Sequence, residues 1–140
     1  MDKMLRARQI ARDYKLKGYH CSECIIRTVN DVLDLKMSDD VLRCACGFRG
    51  GGGGYRDRCG IIGAGIMVIS YLYGRDDCSG DVEEYSNLII QLHEDFKNHF
   101  NTIYCRDIYY DQKKKMVKNT CLDTVEDGVE IILNLLINHR

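Results

Sequence analysis

CGIIGAGIMVISYLY, residues 59–73, is apolar on every side when wound into a helix. A helix without a polar face belongs in the middle of a bundle, so Ile61 to Tyr73 is expected to be the most buried segment of the chain. Asp57 stands where it can cap the start, and Gly74 stands where the helix ends. Gly60 and Ala64 lie one turn apart, as do Gly63 and Met67, and small residues at that spacing let a neighbouring helix come close. The run is too short and too rich in glycine to span a bilayer.

Outward from this segment the apolar spacing stays helical, and the chain contains no proline. A first helix carries Met4, Leu5, Ala7, Ile10 and Ala11 and ends before Gly18. A second runs from about Cys21 to Leu35, with Ile25, Ile26, Val29, Val32 and Leu33 on one stripe. Ser38 reads as an N-cap, with Asp39 and Asp40 placed well against the helix dipole, for a short third helix stopping at Gly47. Asp81 and Glu84 resemble a capping box for a helix from Val82 to about His99. A short turn is expected around Cys105. Thr120 and Asp123 then open a last helix with Val125, Val129, Ile132, Leu133 and Leu136 inward. Residues 1–140 therefore read as one all-α domain, a bundle of about five main helices with a buried central apolar helix and a Gly-rich loop.

The 20 Lys and Arg residues nearly balance the 21 Asp and Glu, leaving a net charge of −1 and no general pull towards nucleic acid or an anionic membrane. The opening MDKMLRARQIARDYKLKG has no apolar stretch for a signal peptide, so a cytoplasmic location is the expectation. Very apolar helices leave room for a homodimer. Eight cysteines are the anomaly. In a cytoplasmic chain they point to metal ligation or redox chemistry rather than to a disulfide framework, the bland alternative being small buried hydrophobes.

FRGGGGGYRDRCG, residues 48–60, contains five consecutive glycines. No Lys-Ser or Lys-Thr pair follows them and no strand precedes them, so neither phosphate-loop pattern applies and no nucleotide is expected. The cysteines fit the caps better. Cys21, Cys59 and Cys121 each fall in the first turn of an expected helix, where unpaired N–H groups and the macrodipole favour thiolate. Cys105 joins them if Thr102 caps a short turn. Arg58 and Arg106, beside Cys59 and Cys105, would push the same way.

Cys24, one turn from Cys21, could make a vicinal redox pair, though the β-α-β setting of that motif is missing. Cys44 reads as core, Cys46 as a candidate extra ligand, and Cys78 as an exposed loop thiol. His20 reads as an exposed turn residue; His93 and His99 are six apart, not a same-face ligand spacing. Asp13, Glu94 and Asp95 form no acid–base pair, and Lys113-Lys114-Lys115 reads as a solvated connector. There is no serine nucleophile and no zinc-enzyme motif.

Gly18-Tyr19-His20-Cys21-Ser22, the glycine loop running into Cys59-Gly60, Met67-Val68-Ile69 ending at Gly74, Phe100 followed by Cys105-Arg106-Asp107-Ile108, and Cys121 heading the last helix together resemble the C_GCAxxG_C_C family. The resemblance implies a small, helical, redox-active protein with four characteristic cysteines, here Cys21, Cys59, Cys105 and Cys121, and a related domain occurs in split-Soret cytochromes beside a non-haem iron–sulfur centre. Two positions depart from the pattern: Ile61 stands for its alanine and Ala64 for its second glycine, which alters the packing behind Cys59. No haem is expected, because Cys21-Ser22-Glu23-Cys24 is followed by Ile25 rather than histidine. The glycine loop then reads as a close backbone approach, with Gly52, Gly53, Gly54 and Gly60 the candidates for N–H contact with a bound group. Three functions follow: an iron–sulfur cluster on the four thiolates serving electron transfer or redox sensing with a redox partner protein, a metal-free thiol–disulfide enzyme using pairs of them, or a structural zinc site. Four thiolates match the cluster's ligand count, which favours the first. In the second, Cys21 at its turn is the candidate attacking thiol.

Overall fold

The computed structural model describes residues 2–114 and 121–139, with the side chains of 111–114 left aside. The described residues are helical, in the order α1 Lys3–Lys17, α2 Cys21–Leu33, α3 Asp39–Arg43, a 3-10 segment Cys46–Gly51, α4 Gly60–Tyr73, α5 Glu83–Phe100, α6 Cys105–Lys114 and α7 Leu122–Asn138. Among these residues there is no strand, only an isolated bridge between Arg58 and Tyr104.

Seven α-helices thus replace the expected five or so, and the difference lies mainly at Cys105. The turn expected there is a helix of ten residues. Its first N–H groups find acceptors far away in sequence: Cys105 N donates to Asp57 O at 2.6 Å and Arg106 N to Arg56 O at 3.1 Å. Thr102 does turn the chain here, its hydroxyl accepting from Tyr104 N at 3.1 Å and donating to Asp107, but the helical N–H groups of Cys105 and Arg106 are capped by a distant loop, which leaves no local signature of the helix's length. Asp57 accordingly does not cap α4, whose N-cap is Cys59. Ser38 does cap α3, its hydroxyl accepting from Val41 N at 3.3 Å. Thr120 lies outside the described residues.

α4 packs against α2, α5 and α7, while α1 lies across α2 and α7. Gly65 admits α5 and α7: a Cβ there would stand 2.7 Å from Leu92 and 3.1 Å from Ile132. Ile25, Ile26, Ile61, Ile62, Leu92, Phe96, Ile132 and Leu133 are fully buried around it, each contributing about 1.5–3 kcal/mol by leaving water. The burial of α4 is not uniform, however. Gly60–Gly65, Val68 and Ile69 are covered, but Tyr71 is 45% exposed. The last turn passes the end of α2, and the Tyr71 hydroxyl donates to Leu35 O at 3.2 Å while its ring keeps one edge in water. Arg8 ties α1 to α7 through Asp127 and Glu130, both at 2.8 Å.

Candidate functional site

The four cysteines set apart by sequence meet on one cleft of about 210 Å³. Cys21 is the first residue of α2, Cys59 the N-cap of α4, Cys105 the first residue of α6, and Cys121 the N-cap of α7 in the left-handed conformation (φ 77°). Four helix N-termini therefore point into one space. Cys21, Cys59 and Cys105 are buried and Cys121 is half-buried, so Cys121, not Cys21, is the most accessible of the set. No disulfide joins any two of them.

Burial outweighs the helix dipoles. Desolvation pushes the Cys21 and Cys59 thiols up, opposed at Cys21 by the Gly50 N–H and Lys15, and at Cys59 by the Ile61 N–H. Desolvation lifts Cys121 to about 11 against the pull of Lys15 and Arg56. The thiolates expected at Cys21, Cys59 and Cys121 are thus protonated thiols in the metal-free protein, because those N-termini are covered by the fold rather than left in water. Among the described residues, no three His, Cys, Asp or Glu side chains are gathered as a single metal ion would require.

Cys24 shares α2 but not the cleft: it is fully buried, its thiol donates to Tyr19 O at 3.6 Å, and burial holds it up at about 12. Cys44 is exposed at the C-cap of α3, not in the core, because that helix ends at Arg43. Cys46 and Cys78 are also exposed.

The five glycines have a conformational reason. Gly50 to Gly54 all have positive φ, between 56° and 95°, a run that only glycine adopts without strain at every step. The loop coils on itself: Gly52 N donates to Arg49 O at 3.0 Å, Gly53 N to Gly47 O at 2.9 Å and Gly54 N to Arg49 O at 3.1 Å. Those three N–H groups are used inside the loop, and Gly52 and Gly53 face open space. The approach to sulfur is made by its other members. Gly50 lines the cleft and its N–H reaches the Cys21 sulfur. A Cβ on Gly51 would stand 2.7 Å from Cys105 Cβ, and one on Gly60 would stand 3.0 Å from Cys21 Sγ and collide with the Phe48 carbonyl. Gly63 receives the Phe48 ring in the same way, so Gly60 and Gly63 seat the loop on α4.

The cation at the sulfur is Arg56, not Arg58 or Arg106. Arg56 Nη1 donates to Cys105 Sγ at 3.6 Å and its guanidinium lies 3.9 Å above the Tyr109 ring. Arg58 is exposed, and Arg106 pairs with Asp57 at 3.7 Å. Sequence also gave no sign of Lys15 and Arg49, which line the cleft. Lys15 arrives because the Gly18 corner folds the end of α1 back over the start of α2; Arg56 arrives because its own positive φ, 67°, turns it inward. His20 lines the cleft mouth, with its backbone N–H held by Glu23 at 3.1 Å. His93 bonds to Ile89 O and His99 to Asp127; Asp13 and Asp95 accept from Gln9 and Gln91. Of the lysine run, Lys113 and Lys114 end α6 and Lys115 lies outside the described residues.

With the four thiols on one cleft, the comparison with known proteins can be stated. Residues 19–135 match a family model described as "Putative redox-active protein (C_GCAxxG_C_C)". No curated protein and no solved structure matches the chain. Ile61, which departs from the family pattern, is accommodated here by Gly128 of α7, where a Cβ would stand 2.7 Å from Ile61 Cγ2.

Proposed function

Because the chain belongs to the C_GCAxxG_C_C family, we propose that Cys21, Cys59, Cys105 and Cys121 form one redox site that holds an iron–sulfur cluster and exchanges electrons with a partner protein. The observation that carries this is the convergence of four thiols, a hundred residues apart in sequence, on a single cleft. A cluster supplies one-electron transfer at a potential set by charge, hydrogen bonds to sulfur and exposure.

The donor set fits such a group. Thiols held protonated by burial are slow nucleophiles, which weighs against rapid disulfide exchange, whereas iron displaces thiol protons outright. A single zinc ion needs its sulfurs about 2.3 Å from one centre, and no such group is gathered here among the described residues. In a cluster of four irons each thiolate meets a different iron, so its sulfurs stand farther apart. The Gly50 N–H and Arg56 would stabilise charge on the sulfurs of Cys21 and Cys105, while Ile61 and Ile108 keep the inner wall apolar.

Anaerobic purification followed by an absorption spectrum and iron and sulfide assays tests the proposal. Matching iron and acid-labile sulfide, with visible absorbance bleached by dithionite, is the expected result. Iron-free protein whose peptide map shows a disulfide to Cys121, the most accessible of the four, would instead establish the thiol–disulfide alternative.

A further inference from the structure

Among the described residues, the charged side chains that line the thiol cleft are cations, Lys15, Arg49 and Arg56, in a chain whose 21 acids outnumber its 20 bases. Four acids that lie near cleft residues in sequence are engaged elsewhere. Glu23 accepts from His20 N, Asp57 pairs with Arg106, Asp107 accepts from the Thr102 hydroxyl, and Asp13 accepts from Gln9. Among the described residues, no ion pair joins Lys15, Arg49 or Arg56 to a carboxylate. All three are half-buried. A cation that has lost part of its hydration without a counter-charge is held at a cost, and an arriving anion removes that cost.

We infer that the redox partner of this cleft is anionic where it touches the protein, presenting carboxylates to Lys15, Arg49 and Arg56. The inference rests on the cleft being the redox site proposed above, but it concerns the sign of the charge at the mouth and not what fills the interior. The local sign opposes the net charge of −1, so the attraction is short-ranged, acting within about a Debye length, ~10 Å at 0.1 M salt. Arg56 is already engaged by Cys105 and Tyr109, which leaves Lys15 and Arg49 as the pair to vary.

Alkylation of the reduced, metal-free full chain measures that sign at Cys121. The same thiolate attacks iodoacetate and iodoacetamide and displaces iodide from both, so the ratio of their rates cancels the ionised fraction and keeps the charge effect. At low salt the ratio at Cys121 is expected to exceed that of the neutral thiol N-acetylcysteamine about tenfold. It should return towards that reference in about 0.5 M salt and in the Lys15→Gln/Arg49→Gln variant, with circular dichroism confirming the fold; if the double variant does not fold, Lys15→Gln alone carries the test. A ratio equal to that of N-acetylcysteamine at low salt, or one untouched by neutralising these residues, overturns the inference. A chain that shows the raised ratio but never loads iron keeps the anionic partner and removes the cluster. A loaded chain with an ordinary ratio does the reverse.

Discussion

Consider Gly51→Ala. Gly51 has φ +71°, and a Cβ there would stand 2.5 Å from Asp57 N, 2.7 Å from Cys105 Cβ and 2.8 Å from Arg56 C. Two of these are backbone atoms of the segment that caps α6, so they cannot swing aside as a flexible side chain could. The left-handed conformation costs an alanine about 1–2 kcal/mol, and the forced shift adds about 1–3 kcal/mol of overpacking. The sum is roughly 2–5 kcal/mol. Gly53→Ala provides the control: φ is +60° and nothing lies within 4 Å of the added Cβ. It should cost only the conformational part, about 1–2 kcal/mol. Urea midpoints measured at unchanged m-value read the two costs, and iron retained per chain reads the site. The loop's role as a wall placed against Cys105 predicts that Gly51→Ala is the worse by about 1–3 kcal/mol and the poorer in iron. Equal destabilisation by the two alanines would refute the reasoning.

Cys105→Ser or Cys121→Ser alone should strip iron and bleach visible absorbance, because each removes one cluster ligand, and retention of a full spectrum in either would remove that residue from the ligand set. Cys24→Ser, buried but off the cleft, should cost about 1–3 kcal/mol in urea unfolding while leaving iron loading unchanged. Gly128→Ala should destabilise by about 1–3 kcal/mol through its clash with Ile61, and a double-mutant cycle with Ile61→Ala should recover much of that; strict additivity would mean that the two do not compensate. Burial holds Cys24 at about 12 and Cys121 at about 11, so the folded metal-free chain keeps protons that the unfolded chain releases near its ordinary thiol pKa. Their contribution is complete below that pH and is lost as pH rises towards the folded values, by about 1.4 kcal/mol per pH unit per thiol. The urea midpoint of the reduced chain should therefore fall between about pH 8 and about pH 10.5, and a flat profile would show that the thiols are not buried as described.

What the residues determined by themselves is local. The period of Ile25, Ile26, Val29 and Leu33 made α2, Ser38 capped α3, and the apolar run after Cys59 made α4, because helical periodicity and caps act within a few residues. Cys21, Cys59 and Cys121 could be picked out for the same reason: each stands at a helix start, a position that can be read from the chain without knowing where the helices go, whereas Cys105 joined them only through Thr102 and the family resemblance. Tertiary structure decided the rest. It brought those starts to one cleft, and by covering Cys21, Cys59 and Cys121 it reversed their expected ionisation, since desolvation depends on what lies overhead and not on the neighbours in sequence. It built α6 on the carbonyls of Arg56 and Asp57, far away in sequence. It chose Arg56 over Arg58 and Arg106, because a positive φ in a glycine-led loop, and not adjacency to a cysteine, determines which guanidinium turns towards sulfur.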